Sequence, residues 1–116
     1  MGKTILVVED DSQVRRLYAK VLGGEGYHLT LAEGAADGCA LLASGSYDLV
    51  ITDFQLGDGT GAAVMEAARG IKTILITGSV QRDELEALAL RYGLAACFEK
   101  PFLLHELLSK IREAIG

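Results

Sequence analysis

Three acidic residues in a row, Glu9-Asp10-Asp11, follow the apolar run Ile5-Leu6-Val7-Val8, and a fourth acid, Asp53, closes a second such run, Leu49-Val50-Ile51-Thr52. If the two runs are neighbouring parallel strands, their carboxylates gather at one edge of a sheet. Two unit charges ~4 Å apart repel by ~4 kcal/mol at an effective dielectric of about 20, so the cluster calls for a cation. Donors that are all oxygen suit a hard divalent ion, Mg²⁺ before others. A lysine held beside a lone aspartate could ready that aspartate to accept a phosphoryl group, and Lys100, next to the only proline, Pro101, is the candidate. Such chemistry belongs to a switch more than to a catalyst.

These side chains meet only if the strands carrying them end together. Short β-prone runs at about 4 to 8, 28 to 32, 48 to 52, 72 to 77 and 95 to 98 alternate with stretches of helical period. That alternation predicts a doubly wound α/β fold, a parallel sheet with five helices covering both faces. Val14, Leu17, Tyr18, Val21 and Leu22 form one helical stripe, with Asp11 or Ser12 to cap it and Gly23-Gly24 to stop it. Leu85, Leu88, Ala89 and Tyr92 form another between about 80 and 92, and Leu104, Leu107, Leu108, Ile111 and Ile115 form the last. Segments at about 35 to 44 and 61 to 69 are alanine-rich, which favours helix without choosing a face. In such sheets ligands sit beyond the carboxyl ends of the strands, where the strand order reverses. Every residue singled out above falls on that edge.

Each residue also has an ordinary reading. A single acid before a helix merely caps it, but three in a row crowd like charge, so Asp10 and Glu9 are assigned to cation binding and Asp11 to the cap. Asp53 could be a turn residue ahead of the glycine-rich loop 57 to 61, and Thr77 a plain β-branched strand residue. The loop lacks the Gly-Lys-Ser/Thr of a phosphate cradle, and its spacing fits no EF-hand. A loop lysine is usually just solvated; Lys100 is restricted by the proline after it, where a cis bond would turn it inward.

With 116 residues the chain is expected to form one domain spanning 1–116. A net charge of -5 argues against direct nucleic-acid binding, which needs a basic face. Cys39 and Cys97 have no metal or CxxC spacing and read as small buried residues of a reduced cytosolic chain. The apolar stretch near the start is too short for a signal peptide or a membrane span, so a cytoplasmic location without membrane insertion is expected.

Taken together, Leu6-Val7-Val8-Glu9-Asp10-Asp11, Asp53 followed by Leu56 and Gly61, Thr77-Gly78 and Lys100-Pro101-Phe102 make the chain resemble the receiver domain of bacterial two-component response regulators over essentially its whole length. The resemblance implies a flavodoxin-like five-stranded sheet in the order 2-1-3-4-5. It implies Mg²⁺ held by Asp10, Asp53, Glu9 through water, and the backbone carbonyl of Gln55. A phosphohistidine of a histidine kinase or histidine phosphotransferase would donate its phosphoryl group to Asp53, with Lys100 and Thr77 contacting the phosphoryl oxygens. The domain would assist its own phosphorylation and dephosphorylation without being a conventional enzyme. Three positions depart from the family's habit: Glu9 stands for the commoner Asp, Gly57 for Pro, and Cys97 for the aromatic residue that usually follows the switch. By strand alternation Phe98 then points to the opposite face.

Rival readings fare less well. A haloacid-dehalogenase-type phosphatase needs a second Asp two residues after the first, where this chain has Gln55, and an FMN phosphate would meet Glu9-Asp10-Asp11. A phosphorylation-independent interaction module of the same fold stays open because of Cys97. Leu90 and Leu103 lie off the inward stripes of the two helices bordering the fifth strand, which suggests a transient homodimer through that face. The sequence fits either a stand-alone regulator or a receiver cut from a larger protein.

Overall fold

The β-branched and leucine-rich runs form strands, of which the three central ones are buried on both faces and the two edge strands only in part. The structure, a computed structural model, describes residues 2–116. Strands β1 (Thr4–Val8), β2 (His28–Ala32), β3 (Leu49–Asp53), β4 (Lys72–Thr77) and β5 (Ala96–Glu99) make one parallel sheet in the order β2-β1-β3-β4-β5. Helices α1 (Ser12–Gly24), α2 (Ala35–Ser44), α3 (Gly61–Ala67), α4 (Arg82–Tyr92) and α5 (Leu104–Ile115) connect them. This is the flavodoxin-like doubly wound order, with its reversal between β1 and β3. A two-residue pairing of Gln55–Leu56 with Gly59–Thr60 shapes the loop after β3.

Alternation along the strands divides the core. Ile5, Val7, Leu49, Ile51, Ile74 and Ile76 face α1 and α5 and pack on Tyr18, Leu22, Leu107 and Ile111. On the other face Leu6, Val8 and Val50 pack on Ala35 and Val64, and Leu75 packs on Met65 and Leu85. A parallel sheet covered on both sides needs such unbroken apolar runs. The register pairs Val8 of β1 with Thr52 of β3 and Asp53 of β3 with Ile76 of β4. The strands therefore end within a residue of one another, and the polar residues that follow share a rim.

Several expectations shift by a few residues. Strands β3 and β5 run one residue later than the hydrophobic pattern predicts, and α3 stops at Ala67. Asp11 is the cap of α1, its Oδ1 accepting from the amides of Gln13 at 2.8 Å and Val14 at 3.3 Å. Gly23 and Gly24 do not stop that helix but form its end; the reversal is made at Gly26, whose φ of 93° is the left-handed conformation that glycine adopts freely. Leu17 is 50% exposed, because α1 turns Tyr18 and Leu22 to the sheet and leaves Leu17 at the stripe's edge, beside Val14, Phe102 and Leu104. Among the described residues no helix is long and apolar enough to cross a membrane.

One clamp had no sequence signal. Helix α2 starts at Gly34, which has no side chain to cap it; Asp58, in the loop after β3, does so from across the chain. Its two carboxylate oxygens accept from the amides of Ala35 at 2.8 Å and Ala36 at 3.0 Å. Those N–H groups of Ala36 and Ala35 hold the Asp58 carboxyl below its ordinary range. A depressed pKa contributes stability above the unfolded value and loses it as pH falls through the folded one. We therefore expect Asp58→Ala to lower the melting temperature at pH 7, and expect that difference to shrink below pH ~4, as followed by circular dichroism.

Candidate functional site

Glu9 is the first residue past β1, where its amide continues the sheet pairing to the Ala32 carbonyl at 3.0 Å. It is 3% exposed, and its Oε2 accepts from the Asp11 amide at 3.1 Å. Asp53, 7% exposed, is the last residue of β3. The chain after it folds back tightly, with the Gly61 amide donating to the Phe54 carbonyl at 2.7 Å. A Cβ at position 61 would collide with the backbone of Asp53 and Phe54, so the close return requires glycine. Lys100 follows β5, its amide donating to the Thr77 carbonyl at 2.8 Å, and the Lys100-Pro101 bond is cis.

These elements bring Glu9, Asp53 and Lys100 together. Lys100 Nζ donates to Asp53 Oδ2 at 2.5 Å and lies 3.9 Å from Glu9 Oε1, while Asp53 Oδ1 accepts from the Gln55 amide at 3.1 Å. Asp10 is exposed on the same rim, and Gly57 faces its carboxylate. Thr77 is fully buried at the end of β4, but its hydroxyl is engaged with Ser79, accepting from the Ser79 amide at 3.2 Å and lying 3.4 Å from the Ser79 hydroxyl. Of the residues singled out in the sequence, Glu9, Asp10, Asp53, Gln55, Thr77 and Lys100 all lie on this rim; the Thr77 hydroxyl is turned to Ser79 and not to Asp53 or Lys100.

The electrostatics follow from burial. Burial pushes the Glu9 carboxyl up to about 7; the Asp11 amide opposes this, Asp10 and Asp53 add to it, and Lys100 partly offsets it. Burial would lower the Lys100 ammonium, but the hydrogen bond and charge of Asp53, joined by Glu9 and Asp10, hold it above its ordinary value. The phenol of Tyr18 is raised as well, by burial and then by the charges of Glu9 and Asp53, which sets it beneath the same rim. A buried carboxyl driven toward its neutral form marks a rim short of positive charge.

Carboxylate and carbonyl oxygens without nitrogen or sulfur donors fit a hard cation. Among the described residues no three His, Cys, Asp or Glu side chains are drawn into a metal cage. Mg²⁺ is such a hard cation and keeps several of its waters when bound. Glu9, Asp10, Asp53 and the Gln55 carbonyl are the groups available to hold it.

Away from the rim, Cys97 packs beside Leu85, Met65 and Leu75, and burial raises its thiol. Phe98 lies on the opposite face, its ring 5.5 Å from that of Phe102, as strand alternation predicts. Two groups escaped the sequence reading. Asp58 is 23 residues from the amide it caps, and Arg15 reaches back six residues to the Glu9 carbonyl. Only Gly34, a helix start without a capping side chain, hints at the first.

Comparison with known proteins agrees with this geometry. The model of the family described as response regulator receiver domain matches residues 5–112. The chain is 35% identical over 114 residues to the swarming motility regulation protein RssB of Serratia marcescens, covering 93% of this chain and 51% of that protein. It is 34% identical to the transcriptional regulatory protein DltR of Streptococcus agalactiae, covering 93% and 50%. It thus spans about half the length of the curated relatives it matches. A CheY-like receiver domain protein from Methanospirillum hungatei superposes with a TM-score of 0.90 at 29% identity, covering 99% of this chain and 94% of that one. The response regulator TrrA from Thermotoga maritima, solved in complex with Mg²⁺-BeF, superposes at 0.83 with 32% identity, covering 97% and 98%. With its parallel sheet, its acidic rim and its paired Asp53 and Lys100, the chain belongs to the receiver domain family of two-component response regulators.

Proposed function

We propose that residues 1–116 act as a single phosphoacceptor domain. Asp53 receives a phosphoryl group from the phosphohistidine of a histidine kinase or histidine phosphotransferase in the cytoplasm, in a Mg²⁺-dependent reaction. The observation that carries this reading is the buried Asp53 carboxylate with Lys100 Nζ 2.5 Å from its Oδ2. An Asp53 oxygen forms the new P–O bond in line as the P–N bond of the donor breaks, and the electron pair of that bond leaves with the imidazole. The Gln55 amide holds Oδ1 and so fixes the orientation of the carboxylate. Lys100 is placed to pass from Oδ2 to a phosphoryl oxygen as negative charge develops there. Mg²⁺, held by Glu9, Asp10, Asp53 and the Gln55 carbonyl, supplies the further charge neutralisation that phosphoryl transfer requires.

Thr77 converts the modification into a conformational signal. Its hydroxyl leaves Ser79 to donate to a phosphoryl oxygen, which draws the segment between β4 and α4 inward and shifts the population toward that state. Water attack on the acyl phosphate resets the domain. The exposed Leu90 and Leu103, 87% and 57% accessible, support a transient homodimer through the face formed by α4, β5 and α5.

Incubation with acetyl phosphate and Mg²⁺, followed by intact mass measurement, tests the reading. A gain of about 80 Da in the wild type, absent in Asp53→Ala, is expected. No gain with acetyl phosphate or with a phosphorylated kinase would point instead to an interaction module that works without phosphate.

A further inference from the structure

Arg15 closes the first turn of α1, yet only 16% of its side chain is exposed. Its Nη1 donates a 2.7 Å hydrogen bond to the main-chain carbonyl of Glu9. Its Nη2 is 3.6 Å from Glu33 Oε1, but that glutamate side chain is 80% exposed, and ion pairs in water contribute little. The Glu9 carbonyl is therefore the partner that counts. It belongs to the peptide joining Glu9 to Asp10, the two acids that follow β1.

The rest of that turn is held by other bonds: the Glu9 amide to Ala32, the Glu9 carboxylate to the Asp11 amide, and the Asp11 side chain to the start of α1. None of them fixes the rotation of the Glu9-Asp10 peptide plane from its carbonyl side. Arg15 does, through a charge-assisted donor on a rigid helix.

We propose that Arg15 is a positioning residue for the cation site, locking the Glu9-Asp10 peptide so that both carboxylates are presented to one ion. This rests on the Mg²⁺-dependent reading of the rim. Two effects of removing Arg15 have opposite signs. Loss of a positive charge near the rim would strengthen binding of a divalent cation, whereas release of the peptide would weaken it by letting the carboxylates turn away. The inference is that orientation wins.

Isothermal titration of the metal-free chain with MgCl₂ decides this. Groups that orient metal ligands typically contribute 10–100-fold to affinity, so Arg15→Met is expected to raise the Mg²⁺ dissociation constant about tenfold. Arg15→Lys keeps the charge and one donor but not the fork, and should weaken binding measurably, by about threefold. Glu33→Gln should leave the affinity unchanged. In the metal-free Arg15→Met protein, the amides of Asp10 and Asp11 should also exchange hydrogen faster than in the wild type. Tighter binding by Arg15→Met would show that charge alone matters, and unchanged affinity in a folded Arg15→Met would show a purely structural role; either overturns the inference. Should Arg15→Met not fold, Arg15→Lys decides, since unchanged or tightened binding there is equally fatal. A wild type that binds no Mg²⁺ removes the reading of the site itself, whereas a wild type and Arg15→Met that bind alike remove only the role of Arg15.

Discussion

Replacing Lys100 by methionine is expected to slow phosphorylation of Asp53 by about 10²–10³-fold while leaving Mg²⁺ affinity unchanged or tighter. The two halves of this expectation have one cause. Among the described residues Lys100 is the one cation within salt-bridge distance of Asp53, 2.5 Å from Oδ2, and it also lies 3.9 Å from Glu9. As charge moves onto the phosphoryl oxygens, a fixed ammonium in a half-buried site stabilises them more than water can. In the resting domain, however, the same ammonium competes with a divalent ion for the carboxylates. Its removal lowers the rate and relieves that competition. Timed intact-mass measurements with acetyl phosphate, paired with calorimetric titration of MgCl₂, separate the two effects. A Lys100→Met protein phosphorylated at the wild-type rate would show that the ammonium is a structural counter-charge only. The sign of the pH dependence agrees: a raised ammonium pKa keeps the charge through neutral pH, so this contribution fades only above pH ~10.4.

Leu107→Ala is expected to cost about 2–5 kcal/mol of stability. Leu107 is fully buried on α5 and belongs to the cluster containing Ile5, Val7, Ile51, Ile74, Ile76 and Ile111. Its side chain spans the centre of one sheet face, where shortening leaves a cavity that surrounding β-strands cannot close. For a domain of this size the loss corresponds to a fall in melting temperature of roughly 10 °C or more. Leu103, four residues earlier and 57% exposed, is the control: Leu103→Ala should stay within about 0.5 kcal/mol. Equal effects of the two substitutions in a urea titration would mean that α5 does not pack on the sheet as described.

The course of the central strands was legible because each run is short, β-prone and almost wholly apolar. A sheet covered on both faces accepts only such sequence, and Ile5 to Val8, Leu49 to Thr52 and Thr73 to Ile76 have it. The candidate site was legible for a related reason. Glu9, Asp53, Thr77 and Lys100 each stand at or just beyond the end of an apolar run, so parallel strands must deliver them to a single rim. Their resemblance to the receiver pattern then supplied roles that spacing alone leaves open.

Helix ends were read less well. Two glycines at 23 and 24 look like a stop signal, yet both take helical geometry, and the left-handed residue that reverses the chain is Gly26. Leu17 fits the helical period as well as Tyr18 does, but the period cannot say which edge of a stripe meets the sheet.

Composition and order along the chain thus determined the parallel sheet, the rim and the identity of the acids upon it, because strand burial and strand ends are local properties of the sequence. The pairing of Lys100 with Asp53 was expected, but tertiary structure alone decided the other side-chain partners: Asp58 across to α2, Arg15 back to Glu9, and Thr77 turned to Ser79. Hydrogen bonds of side chains depend on ångström-scale placement of elements distant in sequence, and no periodicity encodes that distance.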